Sequence, residues 1–130
     1  MGVTLLLDTH ALLWALLSPN DLGPRAVALL RDPENVLLVS AASAWEIATK
    51  HRLGKLAHAG AVVTNYVDHV RTLGATEAPI TSAQALLAGR FDVDHRDPFD
   101  RMIAAQAVLL GVPVVTRDSA FGAFPCETIW

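Results

Sequence analysis

The fold is decided by residues 3–17, which read VTLLLDTHALLWALL. Val3–Leu7 is a short apolar run that ends at the carboxylate of Asp8, and this pattern predicts a buried strand. Thr9–Leu17 is rich in leucine and alanine and is followed by Ser18-Pro19-Asn20, which predicts a helix and its end. A buried strand that leads directly into a helix is typical of α/β proteins.

The remaining sequence continues this alternation. Further strands are predicted at Val36–Val39, Thr76–Ala78, Pro113–Thr116 and Glu127–Ile129. Further helices are predicted at Pro24–Arg31, Ser43–Leu53, Ala59–Leu73, Thr81–Gly89 and Pro98–Leu110. Ser43 and Glu46 match a capping box at the start of the third helix. The alternation predicts one domain over residues 1–130, with a mostly parallel sheet and helices on both of its faces.

Composition excludes several classes of protein. Apolar residues make up 52% of the chain and charged residues 18%, which excludes a disordered protein. Ten basic and 13 acidic residues give a net charge of −3, so any nucleic-acid chemistry needs a local basic patch or metal ions. The single Cys126 cannot form an internal disulfide. No signal peptide or membrane-spanning apolar stretch is found, and we expect a cytoplasmic protein without membrane contact.

Five acidic residues are predicted to meet at one edge of the sheet, because they follow strands or open helices: Asp8, Glu46, Asp97, Asp100 and Asp118. Ligands of open α/β sheets bind at the carboxyl ends of the strands. Clustered carboxylates repel one another, and a cation offsets that cost. Oxygen ligands without cysteine or a close histidine pair suit Mg²⁺ or Mn²⁺, ions that promote phosphodiester hydrolysis.

Each acid also has a purely structural interpretation. Three of them suit the start of a helix or turn, as N-caps or as charges favoured by the helix dipole: Asp97, Asp100 and Asp118. Glu46 can complete the capping box or pair with Lys50 four residues later. Asp8 is harder to explain in this way, because a carboxylate that ends an apolar strand is costly unless something holds it.

Other catalytic chemistries fit poorly. The sequence has no glycine-rich nucleotide-binding loop and no Gly-x-Ser-x-Gly motif. The five histidines are scattered, and His10 either lies near Asp8 at the predicted site or has a surface or packing role. Trp14, Trp45 and Trp130 are predicted to be packing residues.

Four blocks in order resemble the PIN-domain ribonucleases, and most closely the VapC toxins of type II toxin–antitoxin pairs. The blocks are Leu5–Trp14, Ser40–Lys50, Arg96–Ala107 and Val114–Asp118. The resemblance implies a three-layer α/β/α sandwich with an acidic pocket that binds Mg²⁺ or Mn²⁺. It implies four catalytic and metal-binding acids: Asp8, Glu46, Asp100 and Asp118.

The roles of the neighbouring residues follow from the same resemblance. Asp97 is either a fifth metal ligand or a helix cap, and Thr9 and Thr116 support the carboxylates. Arg101 and Arg117 stand next to two of the acids and either balance their charge or contact an RNA phosphate. Lys50 and Arg52 belong to a basic stretch after Glu46 that either guides RNA or is an ordinary solvated helix end.

The implied function is a Mg²⁺- or Mn²⁺-dependent endoribonuclease toxin that hydrolyses RNA phosphodiester bonds with metal-activated water. The expected partners are an RNA substrate, such as tRNA or rRNA, a small cognate antitoxin and a second copy of the chain in a homodimer. The leucines of the first two helices are consistent with those contacts and equally with a core role: Leu12, Leu13, Leu16, Leu17, Leu29 and Leu30.

The alternative function is that of a non-catalytic PIN-like binding module whose acids serve as caps. A phosphoryl-transfer receiver domain ranks lower, since the strand Val36–Val39 is followed by Ser40 and not by an acceptor aspartate.

Overall fold

The computed structural model describes all residues from 1 to 130 and contains one five-stranded sheet. The strands are β1 (Thr4–Leu7), β2 (Val36–Ser40), β3 (Ala75–Ala78), β4 (Val114–Val115) and β5 (Thr128–Ile129). Their order across the sheet is β3-β2-β1-β4-β5, and all four pairings are parallel. The prediction of a mostly parallel sheet is therefore confirmed.

Seven α-helices connect the strands. They are α1 (Thr9–Leu17), α2 (Pro24–Arg31), α3 (Ala41–Arg52), α4 (Gly60–Thr64), α5 (Tyr66–Leu73), α6 (Ser82–Arg90) and α7 (Pro98–Leu110). Short 3₁₀ turns lie at Pro19–Asp21, Ala57–Ala59 and Ser119–Ala123. None of the helices has the length and apolar character needed to cross a membrane.

The alternating leucines of β1 divide the core into two layers. Leu5 and Leu7 belong to a cluster that includes residues of α1, α2 and α3, whereas Leu6 faces α7 and Phe121 on the other side of the sheet. Successive side chains of a strand point to opposite faces, so a fully buried β1 needs helices on both. This arrangement is the predicted three-layer α/β/α sandwich.

The leucines of the first two helices belong mainly to this core. Leu12 and Leu13 are buried, and three others pack against the same cluster: Leu16, Leu29 and Leu30. Only Leu17 is exposed, at 39%. The core interpretation of these residues is therefore the one that the structure supports.

The predicted capping box at Ser43 and Glu46 is wrong. The N-cap of α3 lies three residues earlier than expected, because the Ser40 hydroxyl is the cap and accepts a hydrogen bond from the amide of Ala42 at 3.0 Å. Ser43 lies inside the helix, where its hydroxyl shares a 3.0 Å hydrogen bond with the hydroxyl of Thr9. A serine at the end of β2 competes for the capping position, and the sequence pattern alone does not separate the two.

The predicted helix over Ala59–Leu73 is divided into α4 and α5. The division falls at Asn65, which leaves the helical conformation at φ −122° and ψ 40°. Asparagine favours such breaks because its side chain competes with the helical backbone for hydrogen bonds.

The tryptophans do not all pack as predicted. Trp14 and Trp130 contact each other with ring centroids 5.5 Å apart. Trp45, in contrast, is 61% exposed and touches Phe99 edge-on at 4.7 Å. Trp45 and Phe99 therefore form an aromatic pair at the surface, beside the starts of α3 and α7.

Candidate active site

The candidate site lies where the order of the strands reverses. The chain moves from β1 to β2 on one side and returns to β4 on the other, and such switch points are the usual ligand sites of open α/β sheets. Asp8 follows β1 and Thr116 follows β4, and both are buried. The Thr116 hydroxyl donates to Oδ2 of Asp8 at 2.5 Å. The other oxygen, Oδ1, accepts from the amide of Ala11 at 2.8 Å, so Asp8 is also the N-cap of α1.

Burial dominates the electrostatics of Asp8. It raises the pKa of the carboxyl above its ordinary value, and the nearby Glu46 adds to the effect. The hydrogen bonds from Thr116 and Ala11 act in the opposite direction without cancelling it. An apolar strand end therefore carries a carboxylate that would gain from a nearby positive charge.

Glu46 is the most buried of the candidate acids, with 1% of its surface exposed. It lies on α3, where Oε2 forms an ion pair with the ammonium of Lys50, one of the two structural interpretations of the sequence. Its other oxygen, Oε1, is buried and has no hydrogen-bond partner. The charge of Glu46 contributes to the raised pKa of both Asp8 and Asp100, so Glu46 interacts electrostatically with both carboxyls.

Asp97 is the N-cap of α7, the structural role that the sequence suggested. Its Oδ1 accepts from the amides of Phe99 and Asp100 at 2.9 and 3.1 Å. Asp100 caps nothing. Burial raises the pKa of Asp100 to about 6, with further contributions from Asp97 and Glu46.

His95 contacts Asp100 and was not singled out from the sequence. Its Nε2 lies 2.8 Å from Oδ2 of Asp100, and its ring packs edge-on against Phe124 at 5.4 Å. The only signal available was its place in the polar loop five residues before Asp100. The spacing alone does not predict a contact between His95 and Asp100, because the contact depends on how the loop folds back over the start of α7.

Asp118 is exposed and lies near Asp8, with Thr116 bonded to both residues. Its Oδ1 accepts from the amide of Ala120 at 2.9 Å and caps the 3₁₀ turn, and its own amide donates to Oγ1 of Thr116 at 3.0 Å. The hydroxyl of Thr116 thus links Asp118 to Asp8. A surface cavity of about 430 Å³ opens here, and it is lined by Asp8, His10, Trp14, Arg117, Asp118 and Ser119. His10 therefore lies at the site.

The acids form two neighbouring groups. Asp8 and Asp118 are joined through Thr116, and Glu46 lies within electrostatic reach of Asp8 and Asp100. In this arrangement no three histidine, cysteine, aspartate or glutamate side chains are placed so that they could hold one metal ion. The ammonium of Lys50 and the ring of His95 each occupy one carboxylate oxygen instead.

The supporting and basic residues lie in different environments. Thr9 bonds to Ser43 and not to a carboxylate. Arg52 and Arg117 are exposed, whereas Lys50 lies against Glu46. The guanidinium of Arg101 donates to four backbone carbonyls, those of Ala88, Phe91, Val93 and His95, at 2.6–3.1 Å. Arg101 therefore fastens the 91–97 loop to α7 and keeps one N–H without a partner in the protein.

The sheet order and the acids at its switch point are those expected of a PIN domain, and comparison with known families gives the same class. The family model of the PIN domain matches residues 5–125, so the chain belongs to the PIN-domain family. Ribonuclease VapC22 of Mycobacterium tuberculosis is 31% identical over 118 residues, which are 88% of this chain and 87% of that protein. Ribonuclease VapC16 of the same organism is 39% identical over 56 residues, 43% of this chain and 40% of that protein.

Solved structures show the same fold. A chain of VapBC2 from Rickettsia felis, crystallised with a promoter DNA fragment, matches with a TM-score of 0.66 and 14% identity over 98% of both chains. VapC20 of Mycobacterium tuberculosis, described as a toxin that cleaves the sarcin-ricin loop, matches with a TM-score of 0.57 and 18% identity over 92% of this chain and 93% of that one. The resemblance to VapC-type PIN domains is thus confirmed by the family match and the named relatives, and the fold agrees with it.

Proposed function

We propose that this chain is a Mg²⁺- or Mn²⁺-dependent endoribonuclease and the toxin of a toxin–antitoxin pair. The observation that carries the proposal is the buried pair of acids at the switch point, Asp8 and Glu46, with Asp100 and Asp118 on either side. Family membership and the ribonuclease names of the two relatives support the same conclusion.

The donors at this site fit a hard divalent cation. They are carboxylate and hydroxyl oxygens, which are the ligands that Mg²⁺ and Mn²⁺ prefer. Oε1 of Glu46 is buried without a partner, and leaving such an atom unpaired is costly. The pKa of Asp100 is raised partly by Asp97 and Glu46, a like-charge repulsion that a bound cation would relieve. We assign the cation to Asp8, Glu46, Asp100 and Asp118, whose side chains would have to move closer together to hold it, because no three of them are so placed in this structure. Asp97 is the candidate fifth ligand.

The capping roles of these acids are compatible with metal binding. Asp97 and Asp118 each use Oδ1 for the cap, which leaves Oδ2 available. Glu46 and Asp100 cap no helix. A binding module whose acids served only as caps would leave the burial of Glu46 unexplained, and this favours the nuclease over that alternative.

The protein's own residues would prepare the site for hydrolysis. A divalent cation, when bound, activates water and stabilises negative charge on phosphodiester oxygens. Thr116 fixes the orientation of Asp8, and His95 fixes that of Asp100. The cavity beside Asp8 and Asp118 is open to solvent and gives the RNA backbone access. Arg117, which lines this cavity and is exposed, is placed to contact a phosphate.

The same proposal covers the partners. The substrate is RNA, and its candidate contacts are first the exposed Arg52 and Arg117. Lys50 could contact RNA only after leaving Glu46, and Arg101 only through its one unused N–H. Thr9, which bonds to Ser43 here, stays a candidate supporting residue. A small antitoxin is proposed because the resemblance to VapC toxins implies one, and because the similar structure is of VapBC2 bound to a fragment of promoter DNA. A homodimer is proposed by analogy with the family, and a cytoplasmic location is proposed together with the RNA substrate, which is found there.

The test is cleavage of purified tRNA and rRNA with Mg²⁺, with Mn²⁺ and with EDTA. We expect cleavage only with metal, and its loss in Asp8→Asn and Asp100→Asn. Asp68→Asn is the matched control, because Asp68 is an exposed aspartate on α5 with a side chain 75% exposed. Undiminished cleavage in both site variants, or cleavage that survives EDTA, would contradict the proposal.

A further inference from the structure

Lys50 does not point away from the acidic site into solvent, as a residue at the end of a surface helix would. Its ammonium forms an ion pair with Glu46, whose side chain is 2% exposed, and the lysine side chain is itself only 28% exposed. The two residues are four apart on α3, so the helix holds them on one face. Lys50 thus covers the most buried acid of the site.

Lys50 also interacts with the acids of α7. Burial by itself lowers the pKa of the ammonium, but the hydrogen bond and charge of Glu46, followed by the charges of Asp97 and Asp100, raise it above its ordinary value. The ammonium thus bonds to one carboxylate, that of Glu46, and its charge also acts on the carboxylates of Asp97 and Asp100. A bound divalent cation would serve the same electrostatic purpose.

We propose that Lys50 is a built-in counter-cation that competes with the divalent metal for Glu46. In the metal-free protein its ammonium holds Oε2, and it must leave before both oxygens of Glu46 are available to a metal ion. Metal binding at this site is then an exchange of one cation for another. This inference rests on the proposed metal-dependent function and concerns the strength with which the metal is held.

The competition predicts a gain of affinity when the ammonium is removed. Calorimetric titration with Mn²⁺ should give a Kd about tenfold lower for Lys50→Met than for the unmodified protein, because methionine keeps the length of the side chain without its charge. The matched control is Lys55→Met, which changes the net charge equally at an exposed lysine and should leave the Kd unchanged. The metal-free Lys50→Met protein should also melt at a lower temperature, and saturating Mn²⁺ should restore it.

A second measurement needs no variant. Acetylation of lysines by an amine-reactive reagent, read by peptide mass spectrometry, should modify Lys50 more slowly than Lys55 in EDTA. Saturating Mg²⁺ should accelerate the modification of Lys50 and leave that of Lys55 unchanged. This experiment applies even if Lys50→Met folds poorly.

The outcomes separate the inference from the proposed function. Equal or weaker Mn²⁺ binding by folded Lys50→Met, or a Lys50 acetylation rate that does not respond to Mg²⁺, would overturn the inference while leaving the nuclease proposal intact. An unmodified protein that binds no Mn²⁺ at all would overturn both.

Discussion

The hydroxyl of Thr116 donates a 2.5 Å hydrogen bond to Oδ2 of Asp8, a residue 108 positions earlier in the chain. The bond joins the ends of β1 and β4 across the switch point of the sheet. The same hydroxyl accepts from the amide of Asp118. Thr116 therefore fixes the relative position of two candidate metal ligands that no helix or turn connects directly.

Removal of this hydroxyl should lower RNA cleavage more than it lowers the stability of the fold. Thr116→Val keeps the shape of the side chain but leaves Oδ2 of Asp8 without its donor. We expect RNA cleavage to fall by about 10- to 100-fold, the usual effect of losing a group that orients a metal ligand. Stability should fall by about 1–2 kcal/mol.

The measurements are kcat/KM on a defined RNA and urea unfolding. Thr128→Val, at an exposed threonine of β5, is the control for adding a valine to the same sheet. A Thr116→Val protein with full activity would show that the hydrogen bond is not needed to orient Asp8.

Two substitutions of Asp97 separate its role as a helix cap from its candidate role as a metal ligand. Asp97→Ala removes the cap of α7 and should lower the free energy of unfolding by about 1 kcal/mol, whereas Asp97→Asn keeps a capping oxygen and should be much closer to the unmodified protein. Thermal unfolding checks this difference. If the two variants are equally unstable, the cap is not what Asp97 contributes to the fold.

Arg101 should behave as a structural residue of the 91–97 loop. Arg101→Met removes four hydrogen bonds to backbone carbonyls and should cost about 2–4 kcal/mol of stability. Trypsin should then cleave faster after Arg96, inside the released loop. Arg101→Lys should rescue little, because an ammonium cannot reproduce the planar set of donors. Arg90→Lys, at an exposed arginine, is the control, and unchanged proteolysis of Arg101→Met would contradict the role.

Tyr66 carries a buried hydroxyl that finds no partner. Burial, with a smaller effect from Glu77, raises the pKa of Tyr66 to about 12. In the unfolded chain this hydroxyl ionises near pH 10. The unfolded state therefore releases the proton first, and the protein loses stability as the pH rises from about 10 to 12.

Tyr66→Phe should remove that part of the alkaline loss and should cost little at neutral pH, where the hydroxyl contributes no hydrogen bond. Urea midpoints at pH 8 and pH 10.5 test both points. A Tyr66→Phe protein that is much less stable at pH 8 would show that the hydroxyl has a partner after all.

The sequence predicts most of the framework because its signals are local. Helix α7 begins and ends where expected, since Asp97-Pro98 is a strong start and Gly111 adopts the left-handed conformation at φ +68°. The break at Asn65 has no comparable signal, and the start of α3 was misplaced because two serines can each serve as a cap.

The candidate site is predictable in composition but not in its contacts. The acids stand in recognisable blocks of sequence, so their order and their edge of the sheet can be inferred. The bonds that set their properties join distant parts of the chain, as between Thr116 and Asp8, or depend on how a loop folds, as for His95 and Asp100. The pairing of Lys50 with Glu46 was one of two interpretations that their spacing allowed, whereas the charges of Asp97 and Asp100 around Lys50 depend on how α7 packs.

The capping role of three candidate acids has a consequence for which substitutions can test the site. Asp8, Asp97 and Asp118 each begin a helix or turn with one oxygen. Alanine at these positions would remove the charge and the cap together, whereas asparagine would remove the charge and keep the cap. Asparagine at these three positions therefore separates the charge of the site from the stability of the fold, which alanine cannot do.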